Sequence, residues 1–155
     1  MPTHRVLNVD EETELEQYLL MGLELVPLPP GLEDIDGRDP MLIALGISTM
    51  IDAVRSGAPV PDGLNIEDLA TCLGVLFGEE LCRVVGWSWA QLTLDDGFDG
   101  LVVSDEEHGL AMLPIHYVYG LLSSTDQDNT LGMMFQMICR QELPAVSPNS
   151  WKILG

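Results

Sequence analysis

The segment NIEDLATCLGVLFGEELCRVVGWSWAQLTL, residues 65–94, constrains the fold more than any other part of the chain. Asn65 is an N-cap residue, and Leu69, Leu73, Leu76, Phe77, Leu81 and Val84 recur on one helical face. Arg83 suits the last turn and Gly86 the exit. The period then changes from 3.6 to 2: WSWAQLTL, residues 87–94, is aromatic, β-favouring and alternating. A long buried helix running straight into a strand demands a helix-on-sheet arrangement. Gly74 and Gly78, four residues apart, each weaken the helix, so their expected purpose is close approach by another backbone. In a soluble chain that spacing serves helix packing more often than membrane dimerisation.

Downstream, LDDGFDGLVVSDEEHGLAML, residues 94–113, crowds carboxylates around one histidine. GLVVS and LAMLP read as two further short strands, with DDGFDG and DEEHG as the turns between them. Gly97, Gly100 and Gly109 are expected to supply positive φ, and the acids to be solvated turn residues. The result is a three-stranded antiparallel meander. Pro114 then opens a helix through IHYVYGLL, and Asp128 or Asn129 caps a last helix bearing Leu131, Met134, Phe135 and Ile138. The tail LPAVSPNSWKILG reads as irregular, with Trp151 pinning it back.

Upstream, Asn8 and Glu11 have capping-box spacing, and Leu15, Tyr18, Leu19 and Leu23 share a face. VPLPPGLEDIDGRDP, residues 26–40, is a linker; Asp39 caps the next helix with Pro40 in its first turn. Ile43, Ile47, Met50, Ile51 and Val54 form that helix's buried stripe, and Gly57 stops it. Residues 1–155 read as a single α+β domain, helices packed on one face of a small three-stranded antiparallel sheet. Residues 1–40 form an appended N-terminal helix and Pro-rich arm.

Charge limits the partners. Twenty-five acidic residues oppose six basic ones, a formal charge of -19, which disfavours nucleic acid and anionic membranes. A basic protein partner, or a second copy as a homodimer, is the expected associate. Hydrophobic residues make up 46% of the chain, too many for disorder. Three cysteines without a CxxC pair, no signal segment and no membrane-length apolar run point to a reducing, cytoplasmic setting.

Chemistry-bearing patterns fail one by one. Asp95, Asp96, Gly97 and Asp99 lack the spacing and closing glutamate of a calcium loop. His108 and His116 stand eight apart around Pro114, without HExxH or CxxC, so no metal is expected. His108 reads as an exposed turn residue, His116 as partly buried beside Tyr117, and His4 as lying at a frayed terminus. There is no GxSxG elbow, no GxxxxGK[ST] and no GxGxxG, and Cys72 and Cys82 read as inert core thiols. No cofactor and no catalytic residue are expected. The candidate interaction or pocket residues are Glu79, Glu80, Trp87, Trp89, His116 and Tyr117. Glu79 and Glu80 flank the apolar stripe, and the two tryptophans share a strand face. A small hydrolase or metal-dependent enzyme built on Glu79, Glu80 and His116 is an alternative, as is a structural homodimer through Gly74 and Gly78 or through Met133, Met134 and Met137.

The run LGVLFGEELCRVVGWSW, a hairpin, and LAMLPIHYVYGLL resemble a family of small uncharacterised bacterial domains. Their pattern is a glycine-spaced helix, a Gly-Trp-x-Trp strand start, two more strands and a proline-opened helix. YVYGLL lacks the basic residue expected at the end of that pattern. The resemblance covers about a third of the chain and implies this fold but no activity. By size and charge the chain is also similar to acidic immunity proteins, cytoplasmic antidotes that plug a cognate toxin.

Overall fold

A computed structural model describes residues 2–26, 39–124 and 126–155. Along the chain run β1 (Thr3–Arg5), α1 (Val9–Leu25), α2 (Pro40–Arg55), α3 (Ile66–Val85), β2 (Ser88–Thr93), β3 (Asp99–Ser104), β4 (Leu110–Met112), α4 (Pro114–Ser123), α5 (Leu131–Cys139) and β5 (Lys152–Leu154). Residues 27–38, most of the linker segment, lie outside the described residues.

Local side-chain chemistry sets most helix ends as the sequence implies. The Asn8 carboxamide accepts from the Glu11 amide (2.8 Å) while the Glu11 carboxylate accepts from the Asn8 amide (3.1 Å), completing the capping box. Asp39 caps α2 through the Met41 amide, and Asn65 caps α3 through the Asp68 amide. Gly86 ends α3 in the left-handed region at φ 75°. The start of α5 differs. Thr130 is its N-cap and makes no capping side-chain bond, but Asn129 Oδ1, one residue earlier, accepts from the Leu131 amide at 3.3 Å. The Asn129 side-chain N–H groups donate to Ser48 and Asp52, tying this end of the chain to α2.

The three expected strands form the centre of a larger, mixed sheet ordered β1-β2-β3-β4-β5. β1 adds antiparallel to β2, with His4 opposite Leu92, and β5 adds parallel to β4, with Ile153 opposite Ala111. The chain reaches that parallel edge by crossing over through α4 and α5, as a parallel pairing requires. The tail is therefore partly a strand, and Trp151, 6% exposed, does anchor it. Of the three turn glycines only Gly97 has positive φ, at 91°. His108 takes the left-handed conformation in the second turn, at φ 57°, and relieves Gly109 of that role. Gly100 lies within β3, where the Phe98 ring stands 2.8 Å from the position a β-carbon would take.

α3 is the spine of the core. Leu69, Leu73, Leu76 and Leu81 are fully buried, whereas Val84, assigned to the same face, is 40% exposed in the last turn. The sheet face bearing Trp89, Val103 and Met112 joins the helical core; the reverse face forms a smaller cluster of Ala90, Leu92, Val102, Ala111 and Trp151. A β-carbon at Gly74 would lie 2.5 Å from the Ile115 Cα, so the missing side chain admits the α4 backbone. At Gly78 the Trp89 ring and Pro114 fill the same kind of space. Both glycines are thus occupied within the chain. α1 packs along α3 through Gly22, over the Cys72 carbonyl and Leu76.

Arg5 joins β1 to the head of α1 by a paired contact with Glu11 at 2.6 and 2.9 Å. That contact and the Asn8 amide hold the Glu11 carboxyl at about 2, against an ordinary value of 4.5. The folded-state pKa is depressed, so the stabilising contribution is complete above about pH 4.5 and is lost as pH falls through about 2. Carbon-detected titration of the carboxyls should find the Glu11 midpoint far below those of its neighbours, and Glu11→Gln should flatten the acid limb of the stability–pH curve. A Glu11 midpoint near 4.5 would contradict the contact.

Candidate functional site

Six residues carry the sequence-based expectation of a site, and the structure divides them. Glu79, Trp87 and Trp89 come together in a hollow of about 580 Å³. Its near wall is one stripe of α1: Glu12, Leu15, Glu16 and Leu19, spaced as neighbours on a helix face. Its far wall is the last part of α3, with Glu79 and Cys82, and the turn into β2, with the two tryptophans. Val6 and Leu7, between β1 and α1, complete the lining; Val6 is 81% exposed.

Each wall is positioned by features already described. The capping box starts α1 just before Glu12, and Gly86 turns the chain so that Trp87 tucks in, 8% exposed. The Trp89 ring lies across Gly78, where no other residue would leave room. Its Nε1–H donates to Glu79 Oε2 at 3.0 Å, which fixes the carboxylate. The hollow is apolar below and acidic at its rim, with Glu12 and Glu16 facing Glu79 and no lysine or arginine among the described residues that line it. Burial, reinforced by Glu79, pushes the Cys82 thiol up to about 12, so it stays protonated and unreactive at neutral pH. Burial likewise raises Cys72 and Cys139.

The other three residues lie elsewhere. Glu80, 2% exposed, is bound by Arg83 at 2.7 and 3.0 Å in a partly buried ion pair. His116, expected to be partly buried, is exposed on α4 and meets the Phe98 ring edge-on at 5.5 Å. Tyr117 packs edge-on against Phe77, and its hydroxyl pairs with the Thr130 hydroxyl at 2.7 Å. His116 and Tyr117 line a separate hollow of about 420 Å³ beside β5. Glu79 and His116 therefore do not share a cavity, and Glu80 is committed to Arg83.

Three acids of residues 94–113 are tied into the turns and the strands beside them. Asp96 accepts from the Phe98 amide, Asp105 from the amides of Gly109 and Leu110, and Asp99 from Gln91 and Thr93. Among the described residues no three His, Cys, Asp or Glu side chains are grouped to hold a metal ion.

Two features escape the sequence. The α1 wall of the hollow is one. The other is an aromatic cap on the reverse sheet face, where the His108 ring stacks on Trp151 at 4.7 Å and His4 lies 4.5 Å from His108. Ser104 bonds His108 Nδ1 from below at 3.1 Å. His4 thus sits on a paired strand, and His108 is half-buried rather than loose in a turn. Compared with family models, curated proteins and solved structures, the chain matches none.

Proposed function

We propose that this chain is a non-enzymatic protein-binding domain, an accessory or immunity-type factor whose partner is a basic protein. The observation that carries this reading is the distribution of charge in the folded chain. Every described carboxylate except Glu11, Glu79, Glu80 and Asp105 is exposed. Six basic residues cannot offset 25 acidic ones, and two of the six, Arg5 and Arg83, are ion-paired within the chain. Such a surface steers a positive partner and repels nucleic acid and anionic lipid. No helix among the described residues is long and apolar enough to cross a membrane.

The test is capture from an extract of the source organism at low and at high salt. The expected result is a basic protein held at low salt and released as salt screens the contact. Retention indifferent to salt, or a partner as acidic as this chain, would overturn the reading.

A further inference from the structure

Resting on that reading, we propose that the hollow between α1 and the Trp87–Trp89 turn is a receptor for an arginine-bearing segment of the basic partner. Shape comes first. At about 580 Å³ the hollow falls in the range of clefts that hold a compact ligand, roughly 300–1,000 Å³, and suits an arginine with an apolar neighbour. Leu15, Leu19 and the tryptophan rings receive the apolar part, and the exposed Val6 extends that surface at the mouth.

Charge selects the occupant. Glu12 and Glu16 stand on one wall and Glu79 on the other, so a cation entering the hollow meets carboxylates from both sides. None of the described cations lines the hollow to neutralise them. A second copy would set one acidic rim against another, which like-charge repulsion opposes.

Arginine is preferred to lysine for two reasons. Its planar guanidinium stacks on an indole face while donating in parallel to a carboxylate, whereas an ammonium does neither as well. Glu79 is already held by the Trp89 indole, and a carboxylate keeps accepting capacity beyond one hydrogen bond. The acceptor and the stacking surface are therefore fixed together before the ligand arrives, which reduces the ordering cost of binding.

Three labelled, end-blocked peptides serve as probes: two arginines flanking a leucine, the same with lysines, and the same with neutral citrullines. Anisotropy is read at about 50 mM salt, where surface attraction is only partly screened. Wild-type protein should bind the arginine peptide, the lysine peptide at least about fivefold more weakly, and the citrulline peptide negligibly. Combining Glu12→Gln, Glu16→Gln and Glu79→Gln should weaken arginine-peptide binding at least about tenfold. A remote set with the same change of charge, Glu67→Gln, Glu106→Gln and Glu107→Gln, should leave it within about twofold. The carboxamide oxygen that Glu79→Gln introduces can still accept from the Trp89 indole, and circular dichroism checks that both variants fold.

Equal weakening by the two sets, equal binding of lysine and arginine peptides, or a dimer abolished by the rim variants would each overturn the assignment. So would capture of a salt-sensitive basic partner equally well by wild type and rim variant, although that outcome leaves the protein-binding reading standing. Failure of the wild type to capture any salt-sensitive basic partner would remove the reading itself.

Discussion

Replacing Trp151 with alanine should destabilise the domain by about 3–5 kcal/mol, the usual cost of emptying a buried aromatic site. For a domain of this length that corresponds to a fall in Tm of roughly 6–20 °C. Trp151 is 6% exposed and covers Ala90, Leu92, Val102 and Ala111, the apolar reverse face of the sheet. Among the described residues no helix forms part of that cluster, so nothing in it replaces the indole. Its backbone amide also donates to the His108 carbonyl (2.9 Å), one residue before the parallel pairing of β5 with β4 begins. Thermal denaturation followed by circular dichroism measures the loss. Amide exchange in the Leu110–Met112 strand should quicken beyond the global change, because the edge opens as the anchor goes. A loss under about 1 kcal/mol would mean the tail does not seal this face.

Gly74→Ala and Gly120→Ala should move stability in opposite directions although both lie inside helices. At Gly74 the new methyl meets the backbone of Ile115 at 2.5 and 2.8 Å, and neither helix can yield as a flexible side chain would. Overpacking of that kind costs about 1–3 kcal/mol, occasionally more, and an intrinsic helix gain of at most about 1 kcal/mol offsets only part of it. A net loss of about 2 kcal/mol is expected. A β-carbon at Gly120 meets nothing within 4 Å, so there the helix gain of about 0.5–1 kcal/mol stands alone. Urea unfolding of the two variants gives both signs in one experiment. Gly74→Ala as stable as the parent would mean that α3 and α4 are not in the close contact that Gly74 and Ile115 make.

What the sequence reveals follows the range of the interactions involved. Asn8, Asp39 and Asn65 cap their helices through amides two or three residues away, and Gly86 and Pro114 act through their own backbone angles. All five are readable because nothing distant is needed. Gly74 and Gly78 announce a close approach, but the identity of the neighbours, Ile115 and Trp89, depends on tertiary placement. THR and KIL are not legible as strands because three residues carry no measurable alternation; they are strands only where β2 and β4 offer an open edge. The sheet is therefore mixed and five-stranded, where the pattern alone predicts three antiparallel strands.

The same limit governs the candidate site. Glu79, Trp87 and Trp89 stand out at a helix end and a strand start, one short turn apart. Their opposite wall belongs to α1, which faces them because α1 packs along α3 while β1, just before it, pairs with β2. The spacing of Glu12, Leu15, Glu16 and Leu19 is visible as a half-acidic, half-apolar stripe, but its counterpart is not. Glu80 draws notice beside Glu79 although one residue turns it by about 100° on the helix, toward Arg83.

The most direct test of the central claim follows the three tryptophan indole N–H signals by NMR during titration with the arginine peptide. The Trp89 N–H is bonded to Glu79, so drawing on that carboxylate should shift its resonance, with Trp87, which also lines the hollow, following. Trp151, on the reverse face of the sheet, should stay in place. Progressive movement of Trp89 and Trp87 alone is the predicted result. Saturable binding that leaves Trp89 unmoved, or that moves all three signals alike, would contradict it.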